Sequence, residues 1–227
     1  MKFLRRLLII LIILLLVLVS FLGLIGYSYY SKALKEQSLS SRVESYTKKG
    51  NYVTFDDLSE TYLNAVVAVE DHRYYEHGPI DFIALARATY TNVRDNEFDE
   101  GGSTITQQVA KNVIFNQDKS LIRKLGEIFA GYDLERKYTK NEILALYVNS
   151  CYFGNGYYGI YDASMGYYKK PPTDLTLNEA SMLAGVPNAP SVYAPTVNPD
   201  LAKKRQKHVL NKMLEYGYIT QEQANNI

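Results

Sequence analysis

The sequence predicts a mainly α-helical domain carried behind one N-terminal transmembrane helix. Three observations point there. Residues 7 to 26 read "LLIILIILLLVLVSFLGLIG", with Ser20 the only polar side chain. About 20 apolar residues make roughly 30 Å of helix, the thickness of a bilayer's hydrocarbon core. Four stretches have the T-x-x-E/Q form of a reciprocal helix cap: Thr104 with Gln107, Thr139 with Glu142, Thr176 with Glu179, and Thr220 with Gln223. Strand signals are scarce: "SVYAPTV" is short and broken by Pro195, and "YFGNGYYG" (152 to 159) reads as a glycine-rich loop with aromatic walls.

The elements follow in order. Residues 1 to 6 carry Lys2, Arg5 and Arg6, which stay cytoplasmic and send the rest of the chain outward. Residues 7 to 26 are the anchor, with Tyr29 and Tyr30 placed for the far interface. A cleaved signal peptide competes, but it wants a shorter apolar run and a small-x-small site, so the uncleaved anchor is preferred. Residues 27 to 54 are polar and Ser-rich, with a break at Gly50 and Asn51, and read as a stalk. Residues 55 to 227 form the domain. Within it, Ile122, Leu125, Phe129 and Tyr132 recur at helical spacing, as do Ile143, Leu146 and Tyr147. Asn198 before Pro199 marks another start, and Gly185, Pro187 and Pro190 stop the helix begun at Thr176.

Composition excludes several classes. The chain has 227 residues and a formal net charge of +1, so no global basic field suggests nucleic acid. A single Cys151 rules out an intrachain disulfide and a cysteine-rich zinc site, and reads as a small buried hydrophobe. His72, His77 and His208 have no metal-motif spacing. The 21 tyrosines, with no tryptophan, suit carbohydrate contacts or a core, and composition leaves both open. No repeat is visible.

Three segments stand out. In "AVVAVEDHRYYEHGPID" (65 to 81) an aliphatic run ends in Glu70 and Asp71. The bland reading is a helix end with solvated carboxylates. The sharper one is a general base, Glu70, its pKa raised by the wall of Val66, Val67 and Val69 and by the like charge of Asp71. "EGGSTITQQVAKN" (100 to 112) is a glycine turn opening a helix whose free N–H groups suit an anion. Ser103 and Thr104 start it, and Gln107, Gln108 and Lys111 lie on its first turns, with Gln107 and Lys111 sharing a face. "KSLIRKLGE" (119 to 127) places Arg123 and Glu127 one turn apart, near Lys119 and Lys124. In isolation that is a surface pair contributing a few tenths of a kcal/mol, about 0.3–0.5.

"EDHRYYEH", "GGSTITQQ", "RKLGE" and "KNEILALYVN" stand in the order and spacing of the signature motifs of family 51 glycosyltransferases, and the chain resembles that family over about residues 55 to 224. "LTLNEASMLAGVPNAPSVYAP" and "KKRQKHVLNKMLEYGYIT" are similar to its later segments. The resemblance implies a lysozyme-like helical fold with a small membrane-facing jaw lobe. It implies a lipid II polymerase of peptidoglycan, serving cell-wall biogenesis and cell shape, with its domain outside the membrane. Partners would be lipid II, the nascent lipid-linked glycan strand, the membrane, and cell-wall synthesis and division proteins. Motif by motif, Glu70 is the expected base and Glu127 the second catalytic carboxylate, which holds the neighbouring cations in place or assists at the leaving group, a choice the sequence leaves open. The diphosphate-contacting cations fall on Lys111, Lys119 and Arg123. Asp71, Ser103, Thr104, Gln107 and Gln108 complete the substrate-binding set.

Three departures from the pattern are Tyr74 where Phe is usual, Pro79 after Gly78 in the turn, and Ala145 where Glu is common. No D-x-D metal motif is present, and the pairs Asp56-Asp57 and Asp99-Glu100 are expected at surface turns. No cofactor is required, and Mg or Mn remains compatible. Two other readings stay open: a lysozyme-like hydrolase or lytic transglycosylase, against which the cation cluster argues, and a non-catalytic cell-wall scaffold, against which Glu70 and Glu127 argue. Whether the enzyme is monofunctional or the front of a bifunctional penicillin-binding protein is also open.

Overall fold

The computed structural model describes residues 2–95, 102–115 and 120–227, and the described residues are helical apart from turns and one isolated antiparallel bridge, Tyr152 to Tyr158. The expected caps are all in place. Thr104, Thr139, Thr176 and Thr220 each accept from the amide three residues on, while Gln107, Glu142, Glu179 and Gln223 reach back to the cap amide. They start α5 (Ile105–Val113), α7 (Lys140–Ser150), α9 (Leu177–Gly185) and α12 (Gln221–Asn225). Asn198 caps α11 (Pro199–Glu215), and Pro199 occupies its first turn. The remaining helices are α1 (Lys2–Glu36), α2 (Leu39–Thr47), α3 (Glu60–Glu70), α4 (Phe82–Asp95), α6 (Leu121–Lys137), α8 (Ile160–Tyr168) and the single turn α10 (Pro190–Tyr193).

Helix α1 is long and apolar enough to cross a membrane. Its far end corrects the expected stalk at 27 to 54. The helix runs on without a break to Glu36, and α2 follows after two residues. Tyr30, Leu39, Val43 and Val53 are buried in the core. Tyr30 was expected at the membrane interface; instead its hydroxyl donates to Asp133 on α6 at 2.5 Å. Tyr29 stacks on Phe115, ring centroids 5.3 Å apart. The polar, Ser-rich sequence concealed this because the contacts are made by a few widely spaced apolar side chains.

The junction of α1 with α6 is close. A Cβ on Gly26 would lie 2.7 Å from Leu125 Cβ, and one on Gly126 would lie 3.0 Å from Tyr29 and 3.1 Å from Phe115. The apolar stripe of α6 therefore faces the anchor: Leu125 covers Gly26 and Phe129 meets Tyr27 edge-on. The core side of α6 carries Gly126, Glu127, Ala130, Gly131 and Leu134. Behind this pair, α5 packs on α6 and α7, while α3, α9 and α11 pack against one another. The cleft lies between these two groups.

The departures in the first motif are accommodated by specific contacts. Tyr74 is fully buried, and its hydroxyl donates to the Lys140 carbonyl at 2.8 Å, so the extra oxygen has a partner. Pro79 packs on Gly131, and its carbonyl accepts from Thr104 Oγ1 at 2.8 Å, which ties the altered turn to the start of α5. Ala145 is buried on α7. Asp56 and Asp57 lie in a short 3-10 turn; Asp99 and Glu100 fall outside the described residues.

Candidate active site

A cleft of about 700 Å³ opens between the two helix groups. Glu70, the last residue of α3, stands in its wall. The apolar face of α3 (Ala65, Val66, Val67, Ala68) is buried, which brings the terminal carboxylate to the cleft's inner end. Its side chain is only 10% exposed. Gln108 Nε2 donates to Oε2 at 2.8 Å, while Oε1 is buried and accepts no hydrogen bond. Tyr147 Oη lies 3.5 Å from Gln108 Oε1, on the side of that amide away from Glu70. Burial pushes the Tyr62 and Tyr147 phenols well above their ordinary range, and the nearby Glu70 charge pushes the same way. Burial likewise pushes the Cys151 thiol up to about 12, which fits the inert buried cysteine expected.

Asp71 has a different task from the one expected. Its Oδ2 accepts from the Ile105 amide at 3.1 Å, and its Oδ1 meets His77 Nε2 at 2.7 Å. Asp71 therefore caps α5 from outside and lines the cleft with each of its oxygens already holding one partner. His77 Nδ1 faces the Gly78 carbonyl, so both ring nitrogens face oxygen acceptors, which favours the protonated ring. Burial opposes the charge, but the bonds to Asp71 and Gly78 outweigh it and raise the His77 pKa. Asp81 completes a compact group with Asp71 and His77. Arg73 pairs with it, and the Ile83 and Ala84 amides donate to its Oδ1 at 2.9 Å each. Burial would raise the Asp81 pKa, but these donors lower it. Each member of this group is engaged by partners within the protein, so it reads as a hydrogen-bonded brace.

Of the glycine-turn residues, Ser103, Thr104, Gln108 and Lys111 line the cleft. Gln107 does not: its side chain is consumed by the Thr104 cap, accepting from that amide at 3.1 Å. The face toward the cleft is thus Gln108 with Lys111, one position round from the expected pair. Glu127 is fully buried, 0% exposed, with Arg123 Nε and Lys124 Nζ each 2.8 Å from one of its oxygens. Lys124 also donates to Ser103 Oγ at 2.9 Å and lines the cleft, while Arg123 lies outside the lining. The cation that reaches the cleft from α6 is therefore Lys124. Lys119 falls outside the described residues.

The opposite wall is one the sequence reading missed. Arg205, His208 and Lys212 of α11 line the cleft, with His72 and Arg87 nearby. Their i, i+3, i+7 spacing was the available signal, one basic stripe on one helix face. His72 stacks on Tyr216 with centroids 4.2 Å apart, and its pKa is lowered, chiefly by burial and then by Arg87 and Arg73.

Comparison with known proteins identifies the family. The family model described as Transglycosylase matches residues 35–214. Penicillin-binding protein 1F of Bacillus subtilis is 38% identical over 222 residues, covering 90% of this chain and 31% of that protein. Penicillin-binding protein 1A of Neisseria gonorrhoeae is 45% identical over 178 residues, covering 78% of this chain and 22% of that protein. The chain thus spans under a third of the length of these curated relatives. A crystal structure of Penicillin-Binding Protein 1A from Haemophilus influenzae overlays at a TM-score of 0.46 and 22% identity, covering 77% of this chain and 16% of that one. The match over residues 35–214, together with identities of 38% and 45% across most of the chain, shows that this protein belongs to the transglycosylase family.

Proposed function

We propose that the chain is a membrane-anchored peptidoglycan glycosyltransferase that joins the 4-hydroxyl of one lipid-linked disaccharide to the anomeric carbon of another. The observation that carries this is the state of Glu70, whose side chain stands in the cleft wall: one oxygen is fixed by Gln108, and the other is buried with no hydrogen-bond partner. Oε1 takes the hydroxyl proton as the new C–O bond forms. The bond from the anomeric carbon to the diphosphate breaks, and polyprenyl diphosphate leaves with the bonding pair. Lys111 and Lys124, across the cleft, face the charge that develops on the leaving oxygen. Glu127 is too deep to touch substrate, so we assign it as a positioning residue that holds Arg123 and Lys124. This scheme requires no metal, and Mg or Mn remains compatible with it. Helix α1 holds the domain on the membrane where a polyprenyl substrate lives, with the N-terminus cytoplasmic, following Lys2, Arg5 and Arg6.

Glu70→Gln keeps the shape and the Gln108 contact but removes the proton acceptor. Polymerisation of labelled lipid II should fall by at least about 100-fold, the usual contribution of a general base, with substrate binding and melting temperature unchanged. Near-parental turnover would refute the assignment.

A further inference from the structure

The buried oxygen of Glu70 has an unusual neighbour. Arg205 on α11 places Nη2 3.9 Å from Oε1, and the two side chains are only 15% and 10% exposed. That separation is inside the range where a positive charge favours a carboxylate's ionised form, and outside hydrogen-bond reach. The guanidinium is not free to close the gap. Its Nε donates to the Gly185 carbonyl at 3.4 Å. Its stem packs where only a glycine fits, since a Cβ on Gly185 would lie 2.9 Å from Arg205 Cγ, and its head sits over the Tyr193 ring, 5.9 Å from the centroid. We propose that Arg205 is a positioning residue for Glu70, holding the carboxylate charged and turned into the cleft from a distance that leaves Oε1 free for an incoming hydroxyl. A full ion pair would occupy the lone pair that must receive the proton; no cation at all would leave a buried charge unsupported.

The proposal rests on the reading of Glu70 as base. The other groups around that carboxylate do not duplicate Arg205. Tyr62 on α3, and Tyr147 and Cys151 at α7, are neutral across the working pH range because burial raises each. Asp71 is engaged with Ile105 and His77. Lys111 on α5, and His72, His208 and Lys212 along the cleft, are common to parent and variants.

The test is the pH–rate profile of the full chain in detergent micelles with lipid II, from pH 5 to 9. Arg205→Met keeps the packed stem without charge, Arg205→Gln is a second neutral variant, and Arg205→Lys restores charge. In both neutral variants the acid limb should move up by about one pH unit. The turnover loss should be greatest at the acid end of the profile and shrink as pH rises, with KM within about twofold. Arg205→Lys should return the limb most of the way. A loss equal at every pH, a raised KM with turnover unchanged, or unfolding of both neutral variants would each overturn the proposal, because a tie between helices or a substrate contact then suffices. Glu70→Gln, run alongside, separates the two readings: if it retains turnover, the base assignment fails whatever Arg205 does.

Discussion

Arg123 and Lys124 are adjacent in sequence and have different tasks. Both pair with the buried Glu127, but Arg123 turns inward while Lys124, with 45% of its side chain exposed, reaches Ser103 and the cleft. Truncating them should separate rate from stability. Lys124→Ala should lower kcat/KM on lipid II roughly 10- to 150-fold, the equivalent of one charge-assisted contact of about 1.5–3 kcal/mol, and should lower the melting temperature less than Arg123→Ala does, because Lys124 is the more exposed partner of Glu127. Arg123→Ala leaves Glu127 short of a partner and should destabilise the fold by about 3–5 kcal/mol, seen in thermal melts. Equal effects of the two on rate would refute this division. The family resemblance pointed to Arg123, and helical spacing gives a pair's separation but not which way the helix is turned. Gln107 teaches a related lesson. Its T-x-x-Q cap was legible, and that cap turns the Gln107 side chain back to the Thr104 amide while Gln108 lines the cleft.

At the scale of elements, the helix starts were readable because a cap is local chemistry: four residues contain the whole signal. The extension of α1 into the domain was not, because it depends on Gly26 and Gly126 meeting side chains about a hundred positions away. That junction can be tested. Gly126→Ala gains about 1 kcal/mol of helix propensity and meets two aromatic ring atoms at 3.0 and 3.1 Å, a clash small enough to offset it, so stability should hardly change. Gly126→Leu has no such space and should cost about 1–3 kcal/mol through overpacking, with lipid II turnover falling as α6 is pushed off the anchor. Wild-type melting of the Leu variant would show that α1 and α6 are not in close contact.

For the whole molecule, the brace of Asp71, His77 and Asp81 makes stability depend on pH. The His77 pKa is raised in the folded chain, so its contribution is complete below the unfolded value of about 6.5 and is lost as pH rises through the folded value. The Asp81 pKa is lowered, so its contribution disappears only as pH falls below the ordinary carboxylate range. Denaturant unfolding in micelles should therefore weaken from about pH 6.5 upward, and His77→Gln should remove that slope; an unchanged slope would dismiss His77 as its source. The close seat of α1 on α6 has a consequence on a larger scale. A tether would let the domain drift above the lipid, whereas a helix packed along α6 would, on the proposed function, set the depth at which Lys124 and Glu70 meet a lipid-linked substrate. Bilayer thickness then becomes a control variable. A thicker or thinner membrane must tilt this helix through hydrophobic mismatch, carrying the cleft out of register with the headgroups. Turnover in vesicles of short-, medium- and long-chain phosphatidylcholine should pass through a maximum, whereas a loosely tethered enzyme would be indifferent to the series.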